Sequence, residues 1–443
     1  MVADAITSPV AIVVLGHINS GKSTLVGQLL VQCGMISEAQ LATTAKLAVS
    51  GGRPTKAFAW LTDRTVDERA RGFTINFSVH ELSSSRGALT LVNTPGHPKH
   101  FKHTVWATST ADCALIVVSA PDDQFDSEFN PQYSGLTQEV CKLAFSQGIR
   151  QLVIAVNKMD DLTVDYDEAK FRNVCAIMLR YVRLVGFKDE NVTFVPTAAW
   201  SGDNLTDPTT SMPWYTGPTL LDALHNLEPP RRVADKPLRM PIQVMYRVPG
   251  VGLVAFGRVE TGEVRRGMSV AVGPGMQRVT VASIQHHRRD VVAAGPGCHV
   301  GVCIKDASDN KFKRGMVISD ARCDPGVAAL SITAQLALLS ARAASIQLGS
   351  KLIVNCHTMR IPCIVTEIKF KLDRQTGEML QTDSDELVAD DAGVVVLEPQ
   401  VPAVIESLRE FPSLSRLVVC DRLRVVAVGV VRSVKKAQRP SAE

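Results

Sequence analysis

The sequence predicts an α/β domain, with a mostly parallel sheet and helices on both faces, followed by two all-β barrel domains. Three observations carry this. Apolar runs rich in Val, Ile and Leu alternate with helix-spaced segments through the first half. A glycine-punctuated run, GHINSGKS (16–23), joins the first apolar run to the first helical segment. After the Pro- and charge-rich stretch LEPPRRVADKP (227–237), apolar runs shorten and turn signals (PGVG, ETGEV, GPGM, AGPG) become frequent.

In chain order, AIVVLG (11–16) reads as a buried strand, and GKSTLVGQLLVQC (21–33) as a helix stopped by Gly34. Residues 43–72 are polar, carry Gly51, Gly52 and Pro54, and end in DRTVDERARG; a long mobile loop with helical pieces is expected. Strands follow at ALTLVN (88–93), ADCALIVVSA (111–120) and QLVIAVNK (151–158), with helices over 136–147 and 167–185. A second break at CDPG (323–326) divides the β half in two, each part of a size that suits a small barrel. The expected domains are 1–232, 236–324 and 327–437, with a disordered tail at 438–443.

The 443 residues are 45% apolar and 21% charged, as in an ordinary soluble protein. A net charge of +4 permits nucleic-acid contact without demanding it. Ten cysteines form no CxxC pair and sit mostly in apolar runs, as reduced core residues do. No basic leader opens the chain, and no apolar run reaches the ~18 residues that span a bilayer, so no membrane partner and a cytoplasmic location are expected.

GHINSGKS satisfies G-x-x-x-x-G-K-[ST] in its strand-to-helix context. Backbone N–H groups from Gly16, His17, Ile18, Asn19, Ser20, Gly21 and the residues to Thr24 wrap an anion, Lys22 supplies a cation to β- and γ-phosphates, and Ser23 offers a hydroxyl to Mg²⁺. A chance glycine turn is the plain alternative, and the flanking strand and helix speak against it. At the end of a later strand, Asn157, Lys158, Met159 and Asp160 form N-K-x-D. A carboxylate at 160 accepts from N1–H and the 2-amino group of guanine; adenine offers neither donor and would strand a buried charge. Asn157 ties this loop to the phosphate loop, and the stem of Lys158 covers the base. TAAW (197–200) places the backbone of Ala198, Ala199 and Trp200 where guanine O6 could be met. The ligands implied are GTP and GDP with Mg²⁺.

Two segments read as switches. Thr74 in RGFTI ends the long loop and would complete the Mg²⁺ shell only when a γ-phosphate is present; alone, it could equally be a strand threonine. In Asn93, Thr94, Pro95, Gly96 and His97, the Gly96 N–H would meet the γ-phosphate and His97 would address an attacking water. His100 and His103 suit exposed helix positions. Trp200 and Trp214 read as packing residues, and Arg265 and Arg266 as a solvated turn.

At this point the chain resembles the translational GTPases, most closely the eukaryotic and archaeal elongation factor 1-alpha group. The similarity extends through VNKMDD, VPTAAWSGDN, GRVETGEVRRGM, IQHHR, VNCHTMRIPC, KLDRQTGE and VAVGVV, so it covers the β half as well. The resemblance implies an α/β P-loop GTPase domain followed by two all-β barrel domains, with aminoacyl-tRNA, the ribosome and a guanine-nucleotide exchange factor as partners of a monomer. It puts His97 on the catalytic histidine, and Arg258, Glu260, Gln285, His287 and His299 in the region that holds the aminoacylated tRNA end. Arg288 and Arg289 would then meet tRNA phosphates.

Several positions depart from the family pattern. Asn93 and Asn19 stand where aspartates are usual, Gln285 where an acid is usual, Cys298–His299 where Asp–Asn is usual, and Cys420–Asp421 where Arg–Asp is usual. An amide at 93 keeps one acceptor oxygen but loses the charge that strengthens a bond to a metal-bound water, a loss of about 1–3 kcal/mol. The departures keep two other readings open: a related GTPase carrying a tRNA-shaped protein in termination or ribosome rescue, and a slowly hydrolysing GTP-dependent scaffold. The GTPase subunit of sulfate-activating enzymes shares the first motifs, but the third-domain match disfavours it.

Overall fold

The computed structural model describes residues 9–130, 132, 135–287, 289–305, 312–339, 345–373, 376, 378–382, 385–421 and 424–438. Arg288, the chain end beyond 438, and positions 374, 375 and 377 of the KLDRQTGEML hairpin lie outside them.

Residues Pro9–Pro230 form one compact unit. Its strands are β1 (Val10–Leu15), β2 (Ser78–Ser84), β3 (Gly87–Asn93), β4 (Cys113–Ser119), β5 (Leu152–Asn157) and β6 (Val192–Pro196), in sheet order β2-β3-β1-β4-β5-β6. All neighbours are parallel except β2 and β3. β4 and β5 are buried at every position, as a sheet covered on both faces requires. The helices are α1 (Lys22–Gln32), α2 (Glu38–Ser50), α3 (Ala59–Thr62), α4 (Val66–Arg71), α5 (Phe101–Thr108), α6 (Asp122–Phe129), α7 (Thr137–Ser146), α8 (Glu168–Val185) and α9 (Leu220–His225).

The long loop expected over 43–72 is instead largely helical. Capping boxes at Ser37–Gln40 and Thr65–Glu68 start α2 and α4. Strand β2 had no apolar signature because one of its two buried side chains is His80, the other being Leu82. His100 and His103 are half-buried rather than exposed. None of the ten cysteines forms a disulfide, and seven are buried.

Residues from Arg231 onward form the second unit. Its first barrel uses β7 (Arg239–Val248), β8 (Gly252–Arg258), β9 (Val264–Arg265), β10 (Ser269–Gly273), β11 (Gln277–His286), β12 (Arg289–Val291), β13 (Ala293–Ala294), β14 (His299–Lys305) and β15 (Val317–Asp320). Six of these close antiparallel as β10-β15-β7-β8-β14-β11, with β11 returning to β10. The second uses β16 (Ala329–Leu338), β17 (Ile346–Gln347), β18 (Lys351–Cys356), β19 (Met359–Leu372), β20 (Met379–Thr382), β21 (Glu386–Leu387), β22 (Ala392–Pro399), β23 (Arg416–Asp421) and β24 (Arg424–Lys436). It closes as β18-β23-β24-β16-β22-β19, with β19 returning to β18. Closure removes the edges that an open sheet would expose.

A buried ion cluster joins the two barrels. Arg239, fully buried, donates to Glu406 at 3.0 Å and to Asp324 at 2.8 Å, and lies over the Phe411 ring. Lys436 meets the other Glu406 oxygen at 2.7 Å. No helix among the described residues is long and apolar enough to cross a membrane.

Candidate nucleotide site

The parallel strands β1, β3, β5 and β6 end on one edge, where loops 16–23, 93–97, 157–160 and 197–200 gather, as ligand sites of open α/β sheets do. There they bound a cavity of about 380 Å³. Its lining includes Ile18, Asn19, Gly21, Lys22, Ser23, Thr24, Thr74, Gly96, Asn157, Lys158, Asp160, Ala199 and Trp200. Gly16, His17, Ser20, Asn93, Thr94, Pro95, His97, Met159 and Ala198 stand behind that lining or beside it. Sequence reasoning missed the other seven lining residues: Thr55, Lys56, Ala59, Asp63, Gly72, Phe73 and Asp161. Gly72, Phe73 and Asp161 stand beside motifs; the other four carry no such signal.

Asn157 is the structural hub. Its Nδ2 donates to Ser20 O at 2.9 Å, and its Oδ1 accepts from Ala199 N–H at 2.9 Å, so one buried amide ties three loops. Gly21 makes room for it: φ is +98°, and a Cβ there would stand 2.2 Å from Asn157 Nδ2. Asp160 lies half-buried, and burial raises its pKa above the ordinary carboxylate value. A buried carboxylate gains from two N–H donors on a base. Lys158 is held by Gln124 on α6. Trp200 is half-exposed and meets Phe58 edge-on at 5.6 Å, whereas Trp214 bonds Tyr166 O, as packing residues do.

At the phosphate end, burial lowers the Lys22 pKa to about 8, with Glu128 and Asp63 acting against the shift. Its ammonium donates to His17 O. Thr74 is brought in by Glu68, a buried carboxylate on α4 that accepts from Ile75 N–H at 3.0 Å and Asn76 N–H at 3.2 Å. The Thr74 and Ser23 hydroxyl oxygens then lie 2.9 Å apart. Two adjacent ligands of an octahedral magnesium, each ~2.05 Å from it, also stand about 2.9 Å apart. Asn93, fully buried, donates to Ser23 Oγ at 3.1 Å, while its Oδ1 has no partner among the described residues. That orphaned acceptor suits a water on the ion. Asp63 accepts from Thr74 at 2.8 Å and supplies a negative charge; burial raises its pKa to about 6. The residues present fit magnesium.

The His97 ring stacks on Phe73 at 4.8 Å, and its Nδ1 accepts from Lys99 N–H at 3.1 Å. Burial first, then Lys99, lowers its pKa. The neutral ring in this pose carries its proton on Nε2, so that edge donates.

The first-barrel candidates behave differently. Arg258 and His299 are buried neighbours across β8 and β14. Glu260 contacts His357 of the other barrel at 3.0 Å, and His299 stacks on Phe256. Gln285 is exposed and donates to Asp290 at 3.0 Å. His287 follows β11 at φ +48°. They do not line the cavity above.

A phosphate loop, a guanine-reading strand end and two closed barrels define a guanine-nucleotide-binding protein of the P-loop class. Comparison with known proteins refines this. Residues 8–230 match the elongation factor Tu GTP binding domain, residues 252–319 elongation factor Tu domain 2, and residues 331–432 the family described as GTP-eEF1A C-terminal domain-like. Elongation factor 1-alpha of Serendipita indica is 37% identical over 97% of this chain and 95% of its own length. That of Tetrahymena pyriformis is 35% identical over 97% and 98%. The Ski7 GTPase-like domain of S. cerevisiae, solved with GTP, shares the fold with a TM-score of 0.77 at 19% identity, covering 96% of this chain and 97% of that one. The chain belongs to the elongation factor 1-alpha type of translational GTPases, enzymes that hydrolyse GTP to GDP and phosphate.

Proposed function

We propose that this GTPase carries aminoacyl-tRNA to the ribosomal A site in its GTP state and releases it on hydrolysis. It would act as a cytoplasmic monomer recharged by a guanine-nucleotide exchange factor. The observation that supports this most is the likeness to elongation factor 1-alpha through both barrels as well as the nucleotide unit.

In this reading the amides of residues 16–24 and the Lys22 ammonium hold the β- and γ-phosphates, and Asp160 selects guanine. Ser23 and Thr74 would hold Mg²⁺, with the unpartnered Asn93 oxygen beside them, and the ion would supply positive charge to the phosphates. A γ-phosphate would add to the Asp63 and Glu68 contacts that hold Thr74 at Ser23, and its loss would loosen the segment that carries Thr74. His97 swings from Phe73 toward the attacking water and stabilises developing negative charge through its donating edge.

Protection of an aminoacyl ester against spontaneous hydrolysis tests the role. GTP-loaded protein should protect, and GDP-loaded protein should not; absence of protection at micromolar protein would overturn the reading. The closed surroundings of Arg258 and His299, with Glu260 engaged by His357, favour a second reading in which the cargo is a tRNA-shaped protein. Recovery of such a partner, without tRNA, on GTP-loaded protein would select it.

A further inference from the structure

Lys56 reaches the phosphate loop from the other side of the cavity. It closes a short 3₁₀ turn, Pro54–Lys56, and its ammonium donates to Asn19 Oδ1 at 3.4 Å, a contact spanning 37 residues of chain. Both residues line the cavity. The side chain is half-buried and makes no ion pair among the described residues. Burial holds its pKa below the ordinary lysine value, with Asp63 acting against the shift.

Its position is built, not accidental. The following residue pair docks on α1, where Gly27 lets the backbone approach: a Cβ at Gly27 would stand 2.2 Å from Phe58 O. Phe58 then meets Trp200. These contacts fix the stretch two residues after Lys56 against both the phosphate-loop helix and the base-side loop. The ammonium has three donors, and one is used on Asn19. An amide at 19 anchors that ammonium without neutralising it, whereas a carboxylate would pair with it and cancel its field.

We propose that Lys56 is a second phosphate-binding cation of the nucleotide site, held by Asn19 and directed at the phosphates of the bound guanine nucleotide. This rests on the guanine-nucleotide reading of the cavity. Lys22 contacts the phosphates from within the loop; Lys56 contacts them from the segment that crosses over it. Asn19 is then the positioning residue for Lys56.

The test is equilibrium binding of GDP and of a non-hydrolysable GTP analogue to the full chain, with Lys56→Met and Lys56→Arg beside the parent. Methionine keeps the apolar stem and removes the charge. Lys56→Met should weaken both nucleotides by about tenfold or more, the loss of one charge-assisted contact. Lys56→Arg should stay within about threefold. Methylammonium should restore part of the affinity of Lys56→Met and leave the parent unchanged. Parent-like affinity in Lys56→Met overturns the inference alone. So does a loss that methylammonium fails to rescue and that comes with a lowered melting temperature, which makes the lysine structural. A parent chain that takes up neither nucleotide overturns the functional reading together with this one.

Discussion

The cavity at the sheet edge and the candidate residues of the first barrel were named by different kinds of reasoning, and the structure treats them differently. Thirteen residues named from the phosphate-loop, N-K-x-D, TAAW and switch motifs converge on one cavity. The five first-barrel residues, named from family resemblance, divide between a closed core, a seam with the second barrel and the end of strand β11. The first group is held together by backbone: each motif follows a parallel strand, and parallel strands deliver their ends to one edge. The second group lies on antiparallel strands and turns, where neighbouring side chains alternate between core and solvent.

If that contrast is right, changes in the cavity act on ligand and changes in the barrels act first on stability. The largest effect is expected at Asp160. Asp160→Asn removes the charge behind two hydrogen bonds to guanine and should weaken GDP by about a hundredfold or more in fluorescence titration. In the barrels, Arg239→Met leaves Glu406 buried with one cation instead of two and should cost about 3–5 kcal/mol in denaturant unfolding of the full chain, with GDP affinity unchanged. A loss of GDP binding as large as the loss of stability would break the contrast.

The middle of the range tests the metal end. Asn93→Asp adds a charge beside Ser23 and should lower the magnesium concentration needed to slow nucleotide release by about tenfold, or ~1–2 kcal/mol. No change would mean that Asp63 already supplies what the ion requires. A smaller effect concerns pH. Burial, with Arg64 next, lowers the His80 pKa from 6.5 to about 4. Between those values the unfolded chain binds a proton that folded His80 refuses, so stability falls as pH drops through the window and is kept above it. The slope should be on the order of 1 kcal/mol per pH unit, and His80→Gln should flatten it in melts between pH 7 and 5. The smallest effect is expected at Gln285. Gln285→Ala loses one exposed bond to Asp290 and should leave aminoacyl-tRNA protection within about threefold.

What was legible in the sequence follows the same division. GHINSGKS and AVNKMD each couple a fixed spacing to a strand end, so both fold and chemistry could be read from them. β2 was hidden because burying His80 breaks the apolar alternation that marks a strand. Helical pieces within 43–72 were expected, but their extent was hidden by a polar composition whose start signals, Ser37 and Thr65, precede stretches with few buried side chains. Lys56 and Asp63 carry no motif at all. They reach the site through a fold-back onto α1 at Gly27, a contact that no local spacing reveals. Closed barrels could be expected from short strands and frequent turns, but not the Arg239 cluster, whose members are 85 and 167 residues apart in the chain.

One measurement bears most directly on the account: calorimetric titration of the full chain with GDP and, separately, with ADP in the presence of magnesium. One-to-one uptake of GDP with no detectable heat from ADP is the predicted result. Equal binding of the two nucleotides, or uptake of neither, would contradict the assignment of Asp160 and the phosphate loop on which every later step depends.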